Sequence, residues 1–244
     1  MAAGRGSRLG SYTEGLPKTL LNIGDLTIFD RIVTGLDRIG IKDINVVIGY
    51  AGSRLQEHAG TISKKLIHDH ANFEFIVNDH LDIGNIYSFR LAQEKMNTDF
   101  ILVNSDVVFH HDMLEFLCTN PNDTALLVDD HKTLGSEEMK VIMNPKGFIK
   151  EITKELDPGK GGGEYIGIMK VSPGTAEKVN SKIDLLLSQQ NGPLYYEDAF
   201  RLVAKEEDCL FACSTKGLPW AEVDTVEDMR KAKDTILPKI QTSV

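Results

Sequence analysis

The sequence predicts an α/β fold: a Rossmann-like, mostly parallel sheet flanked by helices, with a β-rich insertion in its second half. Two observations predict it. Between residues 28 and 104, amphipathic helical stretches alternate with short, wholly apolar strands, the pattern of a sheet covered on both faces. From Thr124 onward the helices thin out and strand-like runs follow one another.

Taken in order, Ile28, Phe29, Ile32, Val33, Leu36 and Ile39 recur at helical spacing, and Gly40 closes that helix. The β-branched run 44–48 follows as a buried strand. A weaker helix is expected over 53–66, interrupted by Gly60. Strand 73–77, helix 85–96 and strand 100–104 come next, the last running into Ser105 and Asp106. Ligands gather beyond the carboxyl ends of such strands, so Asp106 stands where chemistry is expected. The second half predicts strands over 124–128, 139–143, 148–152 and 164–171. Asn144-Pro145-Lys146-Gly147 has the composition of a hairpin turn, and 157–163 that of a flexible glycine-rich loop. Helices over 173–188 and 196–206, a strand over 210–213, the segment 220–224 and a helix over 226–236 complete the reading. No internal repeat or long linker divides the 244 residues, so one domain is expected.

Composition narrows the function. Apolar residues at 41% and charged residues at 26% are those of an ordinary globular protein. A net charge of −9 argues against nucleic acid or an anionic membrane as the main partner. Three cysteines (Cys118, Cys209 and Cys213) form no disulfide pattern, and neither a spanning segment nor a secretory leader is present, so a cytoplasmic location is expected.

The first eighteen residues carry the strongest local signal. Ala2-Ala3-Gly4-Arg5-Gly6-Ser7-Arg8 is small and glycine-rich, so backbone N–H groups can approach an anion, and Arg8 and Lys18 add two cations. The stretch fits neither the P-loop nor the dinucleotide fingerprint, and Gly159-Lys160-Gly161 is a decoy for the same reason. Asp106 and Asp224 each end an apolar run and form a candidate Mg²⁺ pair; capping of the next helix is the alternative for Asp224. His68 with His70, and His110 with His111, lack the spacing of helical zinc ligands, and the cysteines lack C-x₂-C spacing. No nucleophile constellation is visible.

Ala2-Ala3-Gly4-x-Gly6-x-Arg8, followed by Pro17-Lys18 and a helix opening near Ile28, resembles the signature of the nucleotidyltransferases that couple a nucleoside triphosphate to a phosphorylated small molecule. The similarity extends through Gly84-Asn85-Ile86-Tyr87-Ser88, Asp106, Glu137-Glu138-Met139-Lys140-Val141, Lys154, Glu164-Tyr165-Ile166-Gly167 and Glu222-Val223-Asp224. These resemble the branch containing phosphocholine, 2-aminoethylphosphonate and inositol-phosphate cytidylyltransferases. The resemblance implies a nucleotide-diphospho-sugar transferase-like fold, with a nucleotide-binding half (1–123) and an acceptor-binding half (124–244) that includes the last helix.

It also implies roles. Backbone from Ala2 and Ala3 through Gly4 to Gly6 would hold the triphosphate of CTP. Arg8 would neutralise the β,γ-phosphates and Lys18 the α-phosphate. Asn85 and Ser88 would sit by the cytosine, Asp106 and Asp224 would hold Mg²⁺, and Lys154 would reach the acceptor phosphate. Relatives carry an apolar strand of about five residues before Ala2; only Met1 stands there, so a truncated central strand is expected. A homodimer is compatible with the sequence.

A choline or aminoethyl acceptor is cationic and calls for aromatic faces with carboxylates. Glu164, Tyr165, Tyr195, Tyr196, Glu197, Asp198, Trp220, Glu222, Asp129 and Asp130 supply that inventory, although Tyr196, Phe200 and Val203 also repeat at helical spacing as core residues would. A sugar-1-phosphate or inositol-phosphate nucleotidyltransferase is the alternative, and a non-catalytic nucleotide-binding domain the alternative from another class.

Overall fold

The computed structural model describes residues 1–63, 66–68, 71–189 and 192–242; His70 lies outside them. A short hairpin of β1 (Asn22–Ile23) and β2 (Leu26–Thr27) leads into α1 (Ile28–Arg38). Then come β3 (Asp43–Ile48), α2 (Gly52–Ile62), β4 (Asn72–Val77) and α3 (Asn85–Leu91). After them stand β5 (Phe100–Val103), β6 (Val107–Phe109) and α4 (Asp112–Thr119). The second half supplies β7 (Ala125–Asp129), β8 (Lys140–Met143), β9 (Ile149–Thr153) and β10 (Gly163–Val171). These are followed by α5 (Pro173–Ser188), α6 (Tyr196–Glu206) and β11 (Phe211–Ser214). Last come β12 (Trp220–Glu222), α7 (Val226–Lys231), the π-helical turn Ala232–Ile236 and α8 (Leu237–Thr242).

The chain packs as two compact units, one of Met1–Leu81, Val103–Leu114 and Pro219–Val244, the other of Asp82–Leu102 and Glu115–Leu218. Both cross the 123/124 division that the resemblance implied.

In the first unit β3 and β4 pair in parallel from Asp43 opposite Asn72 to Ile48 opposite Val77. Helix α1 starts where the sequence dictates. Thr27 Oγ1 accepts the Asp30 N–H at 3.0 Å and the Asp30 carboxylate accepts the Thr27 N–H at 3.1 Å, so two of the donors left over at a helix start are satisfied. Its apolar stripe, through Phe29 and Val33, packs with Val46, Ile48, Leu55, Ala59 and Ile62. Ala2 bridges Ile48 in parallel, with its N–H on the Val47 carbonyl at 2.8 Å, and the Ala3 carbonyl accepts the Tyr50 N–H at 3.1 Å. The α-amino group of Met1 donates to the Val103 carbonyl at 2.7 Å. Residues 1–3 thus run between β3 and the end of β5, the place implied for the central strand.

In the second unit a mixed sheet runs β11-β7-β10-β8-β9, with β5 also on β10. β11 and β7 are parallel, while β10 pairs antiparallel with both β7 and β8, and β8 antiparallel with β9. Tyr196 is fully buried, its ring stacked 5.8 Å from Phe89 and edge-on to Phe200 at 6.1 Å.

The expected elements are present with ends moved by a few residues. The 85–96 helix stops at Leu91 and continues as the 3₁₀ turn Gln93–Lys95, which buries no residue and so has no packing to hold an α-helix. The short β1–β2 hairpin, β6 and α4 were not expected. β6 and α4 follow one another across the polar stretch His110, His111 and Asp112, and neither is long enough for its period to be read.

Replacing Thr27 by Ala removes the cap while leaving the buried stripe intact. A loss of about 1 kcal/mol in urea unfolding is expected; a change of a few tenths or less would show that the cap contributes nothing.

Candidate active site

The polar centre of the first unit is built by an antiparallel pairing of strands more than a hundred residues apart. β6 and β12 align Trp220 with Phe109, Ala221 with Val108 and Glu222 with Val107. The Val223 N–H then donates to the Asp106 carbonyl at 2.9 Å. Asp106, just before β6, and Asp224, just after β12, are thereby fixed as neighbours. Their carboxylates share Lys18, whose Nζ donates to Asp106 Oδ2 at 2.7 Å and to Asp224 Oδ1 at 2.5 Å. Arg8 pairs with the other oxygen of Asp224. Desolvation alone would lower the Lys18 pKa; the two aspartates outweigh it, and the net shift is upward. Lys18 therefore keeps its charge at every physiological pH.

The capping alternative for Asp224 is settled by α7. Thr225 is its N-cap, and the Asp228 carboxylate accepts the N–H groups of Asp224 and Thr225 at 3.2 and 2.8 Å. The Asp224 carboxylate is left for the cations.

The glycine-rich stretch enters the same unit. Gly6 has φ of +62°, and a Cβ there would meet Lys18 Cβ at 3.1 Å, so glycine sets both the turn and the close approach of Lys18. A Cβ on Gly4 would meet no protein atom within 4 Å. Among the described residues, the N–H groups of Gly4, Arg5 and Gly6 have no acceptor. They are donors available to an anion. Ala2 and Ala3 are buried and tied to β3 and Tyr50 through their backbone.

One ligand atom each from Asp106, Glu222 and Asp224 lies within 4.8 Å of the others. Asp106 Oδ1 is buried and accepts no hydrogen bond among the described residues. Such an oxygen is costly unless a cation or donor meets it. Three carboxylates against Lys18 and Arg8 leave a net negative charge, and an all-oxygen donor set is what Mg²⁺ selects. The residues fit that ion. The sequence places Glu222 with the acceptor; the β12 register brings its carboxylate beside those of Asp106 and Asp224. Trp220 lies two residues earlier, opposite Phe109.

The other residues singled out from the sequence belong to the second unit. Asn85 opens α3, and its carboxamide is engaged on both ends. Oδ1 accepts the Tyr196 N–H at 2.8 Å and Nδ2 donates to Glu197 Oε2 at 3.4 Å. Ser88 is buried on α3. Tyr165 and Tyr196 share a hydroxyl–hydroxyl hydrogen bond of 3.0 Å and are core residues, so neither ring offers an open face. Tyr195 does, at 44% exposure, with Lys154 Nζ 5.7 Å from its ring centroid. Glu164 is buried and already holds a cation, Lys132 Nζ at 2.6 Å. Burial raises its pKa, and Lys132 only partly offsets this. Glu197, 5% exposed, has no cationic partner among the described residues. Burial pushes its pKa up to about 7, opposed by its own N–H, the Tyr196 and Asn85 hydrogen bonds, and assisted by Asp198.

Comparison with known proteins decides the family. The model of the MobA-like NTP transferase domain matches residues 1–164. The chain belongs to that family. It is 24% identical over 238 residues to the choline-phosphate cytidylyltransferase of Streptococcus pneumoniae, covering 97% of this chain and 96% of the relative. It is 24% identical to the bifunctional protein GlmU of Methanococcus aeolicus over 100% of this chain and 55% of that protein. It is 25% identical to the bifunctional IPC transferase and DIPP synthase of Aquifex aeolicus over 96% of this chain and 50% of that protein. The chain thus spans about half the length of these two relatives. Solved structures share its fold, which is that of the nucleotide-diphospho-sugar transferases, a mixed α/β architecture. The CTP:phosphocholine cytidylyltransferase from Streptococcus pneumoniae superposes with a TM-score of 0.75 at 23% identity, covering 96% of this chain and 95% of the other. The inositol-1-phosphate CTP transferase from T. maritima gives 0.72 at 20% identity, covering 96% and 95%.

Within this member of the MobA-like family, one cluster was not foreseen from spacing. His110, His111 and Asp112 also bring ligand atoms within 4.8 Å. Arg38 Nη1, however, lies 2.5 Å from His111 Nε2, so a cation already faces that nitrogen. His68 contacts the Asp37 carboxylate at 3.1 Å. The decoy glycines form the 3₁₀ turn Pro158–Lys160, with the Gly159 N–H on Asp157 Oδ1 at 3.0 Å.

The folded chain favours the neutral form of Glu197. The associated stability is therefore complete below the unfolded value, near 4.5, and is lost as pH rises to about 7. Glu197→Gln keeps the shape without the titration. The unfolding free energy of wild type relative to Glu197→Gln should fall by about 3 kcal/mol across that window; a difference that does not change with pH contradicts the burial argument.

Proposed function

We propose that the protein is a Mg²⁺-dependent cytidylyltransferase that transfers CMP from CTP to a phosphorylated small polar head group, phosphocholine or 2-aminoethylphosphonate, and releases pyrophosphate. The observation that carries the reading is the buried, unpaired Asp106 Oδ1 in a group of three carboxylates that shares Lys18. The open N–H groups at Gly4, Arg5 and Gly6 support it. Family membership supplies the reaction type, and relatives named as cytidylyltransferases for choline phosphate and phosphoglutamine support CTP.

An acceptor phosphate or phosphonate oxygen attacks the α-phosphorus of CTP in line. The new P–O bond forms as the bond to the β-phosphate bridging oxygen breaks, and pyrophosphate leaves with that electron pair. The attacking oxygen is already ionised at neutral pH, so no general base is required. Asp106 and Asp224, with Glu222 beside them, would hold Mg²⁺, which supplies charge neutralisation at the α-phosphate. Backbone from Ala2 to Gly6 would cradle the triphosphate, Arg8 would turn to the β,γ-phosphates and Lys18 to the α-phosphate. Asn85 and Ser88 would stand on the cytosine side. Lys154 would take the acceptor phosphate. Glu164 and Trp220 remain acceptor-side residues in this reading, Tyr165 and Tyr196 stand in the core beside Glu197, and Glu197 is its sharpest member, because Glu164 already has Lys132 while Glu197 has no cation among the described residues. A buried carboxylate in that condition suits an ammonium-bearing acceptor.

Pyrophosphate release is expected from CTP and Mg²⁺ with phosphocholine or 2-aminoethylphosphonate. Release with glucose 1-phosphate instead would move the chain to the sugar branch. Lys18→Ala and Asp106→Ala should each lower turnover by at least about 100-fold while the circular dichroism spectrum is kept; near wild-type turnover in either variant would remove that residue from the mechanism.

A further inference from the structure

The first turns of α3 and α6 are joined by a small, specific set of contacts. The Leu194 N–H donates to the Ile83 carbonyl at 2.8 Å, and the Leu194 carbonyl accepts the Ile86 N–H at 3.4 Å. Gly84, at φ of +105°, lies so close that a Cβ would stand 2.1 Å from the Leu194 carbonyl oxygen, so no other residue is accommodated there. Into this junction Asn85 inserts its carboxamide, accepting from the Tyr196 peptide N–H and donating to the Glu197 carboxylate. A carboxamide carries its acceptor and its donor on separate atoms, so it can accept from an amide and donate to a carboxylate at the same time. Aspartate keeps only the first contact and alanine keeps neither.

We propose that Asn85 is a positioning residue for Glu197: by holding the Tyr196 peptide and the Glu197 carboxylate together, it fixes where the acceptor-side carboxylate sits and keeps one of its oxygens paired. The proposal rests on the functional reading only in taking Glu197 to face the acceptor. It adds a role to Asn85 beyond the cytosine side, since one N–H and one lone pair of the carboxamide remain for a ligand. The groups that face Glu197 are Tyr196 and Asp198 on its own helix, Tyr165 on β10 and Asn85 on α3. The first three are all acidic groups, so Asn85 contributes the neutral side-chain amide donor to the carboxylate, beside the backbone N–H of Glu197 itself.

The test is a carbon-13 titration of the full chain labelled at glutamate, with the Glu197 signal identified by its loss in Glu197→Gln. Asn85→Asp is the principal variant, because it retains the acceptor for the Tyr196 N–H, places a negative charge at a helix start and so preserves the fold. The Glu197 midpoint should move up from its wild-type value by about one pH unit or more in Asn85→Asp, and upward by less in Asn85→Ala. In turnover, Asn85→Asp should raise KM for a cationic acceptor by about tenfold, whatever it does to KM for CTP. An unmoved midpoint in both variants overturns the proposal, and so does a rise confined to KM for CTP. If wild type transfers no cytidylyl group at all, the functional reading falls, and the titration alone still decides the role of Asn85.

Discussion

The first unit depends on one backbone hydrogen bond, from the Val223 N–H to the Asp106 carbonyl, which extends the β6–β12 ladder by one step. Side chains alternate along a strand, so a slip of one residue would turn every β12 side chain to the opposite face. In the observed register, Asp106 and Asp224 meet over Lys18, and Glu222 joins them. Carboxylates crowded in this way repel one another unless cations stand among them. Lys18 and Arg8 supply that charge in part, and the buried Asp106 Oδ1 marks where it is still missing. Gly6 belongs to the same constraint, because a side chain there would press on Lys18.

The second unit solves a different electrostatic problem. Two of its buried acidic residues, Glu164 and Glu197, are treated unequally. Glu164 has an ion-pair partner in Lys132, whereas Glu197 is surrounded by hydroxyls, an amide and another acid. Burial pushes the Glu197 pKa up to about 7. Such a group responds to a cation or to a change in its hydrogen bonds far more than an exposed carboxylate does.

Much of the fold was legible. The helices over 173–188 and 196–206 and the strands of the second half followed from apolar spacing, because each is long enough to show its period. The glycine-rich stretch, Lys18, Asp106 and Asp224 stood out as candidates from residue type and position, and they assemble in one unit. The partnership between β6 and β12 was not, since it is a long-range pairing of two three-residue strands. Without it, Glu222 could not be placed with the aspartates. The aromatic inventory was read too generously: Tyr165 and Tyr196 are core, and the spacing of Tyr196 with Phe200 and Val203 had already pointed there. Nor could spacing show that the Asn85 carboxamide is committed to α6, because that contact joins residues 111 and 112 positions apart.

The central claim is that Asp106 and Asp224, set side by side by the β6–β12 register, form the cation site of the chain. Anomalous scattering from crystals grown with Mn²⁺ and CTP tests it directly. The account predicts a peak about 2.1 Å from carboxylate oxygens of both Asp106 and Asp224. A peak at His110, His111 and Asp112 instead, or an Asp106 and Asp224 pair separated beyond reach of one ion, would contradict it.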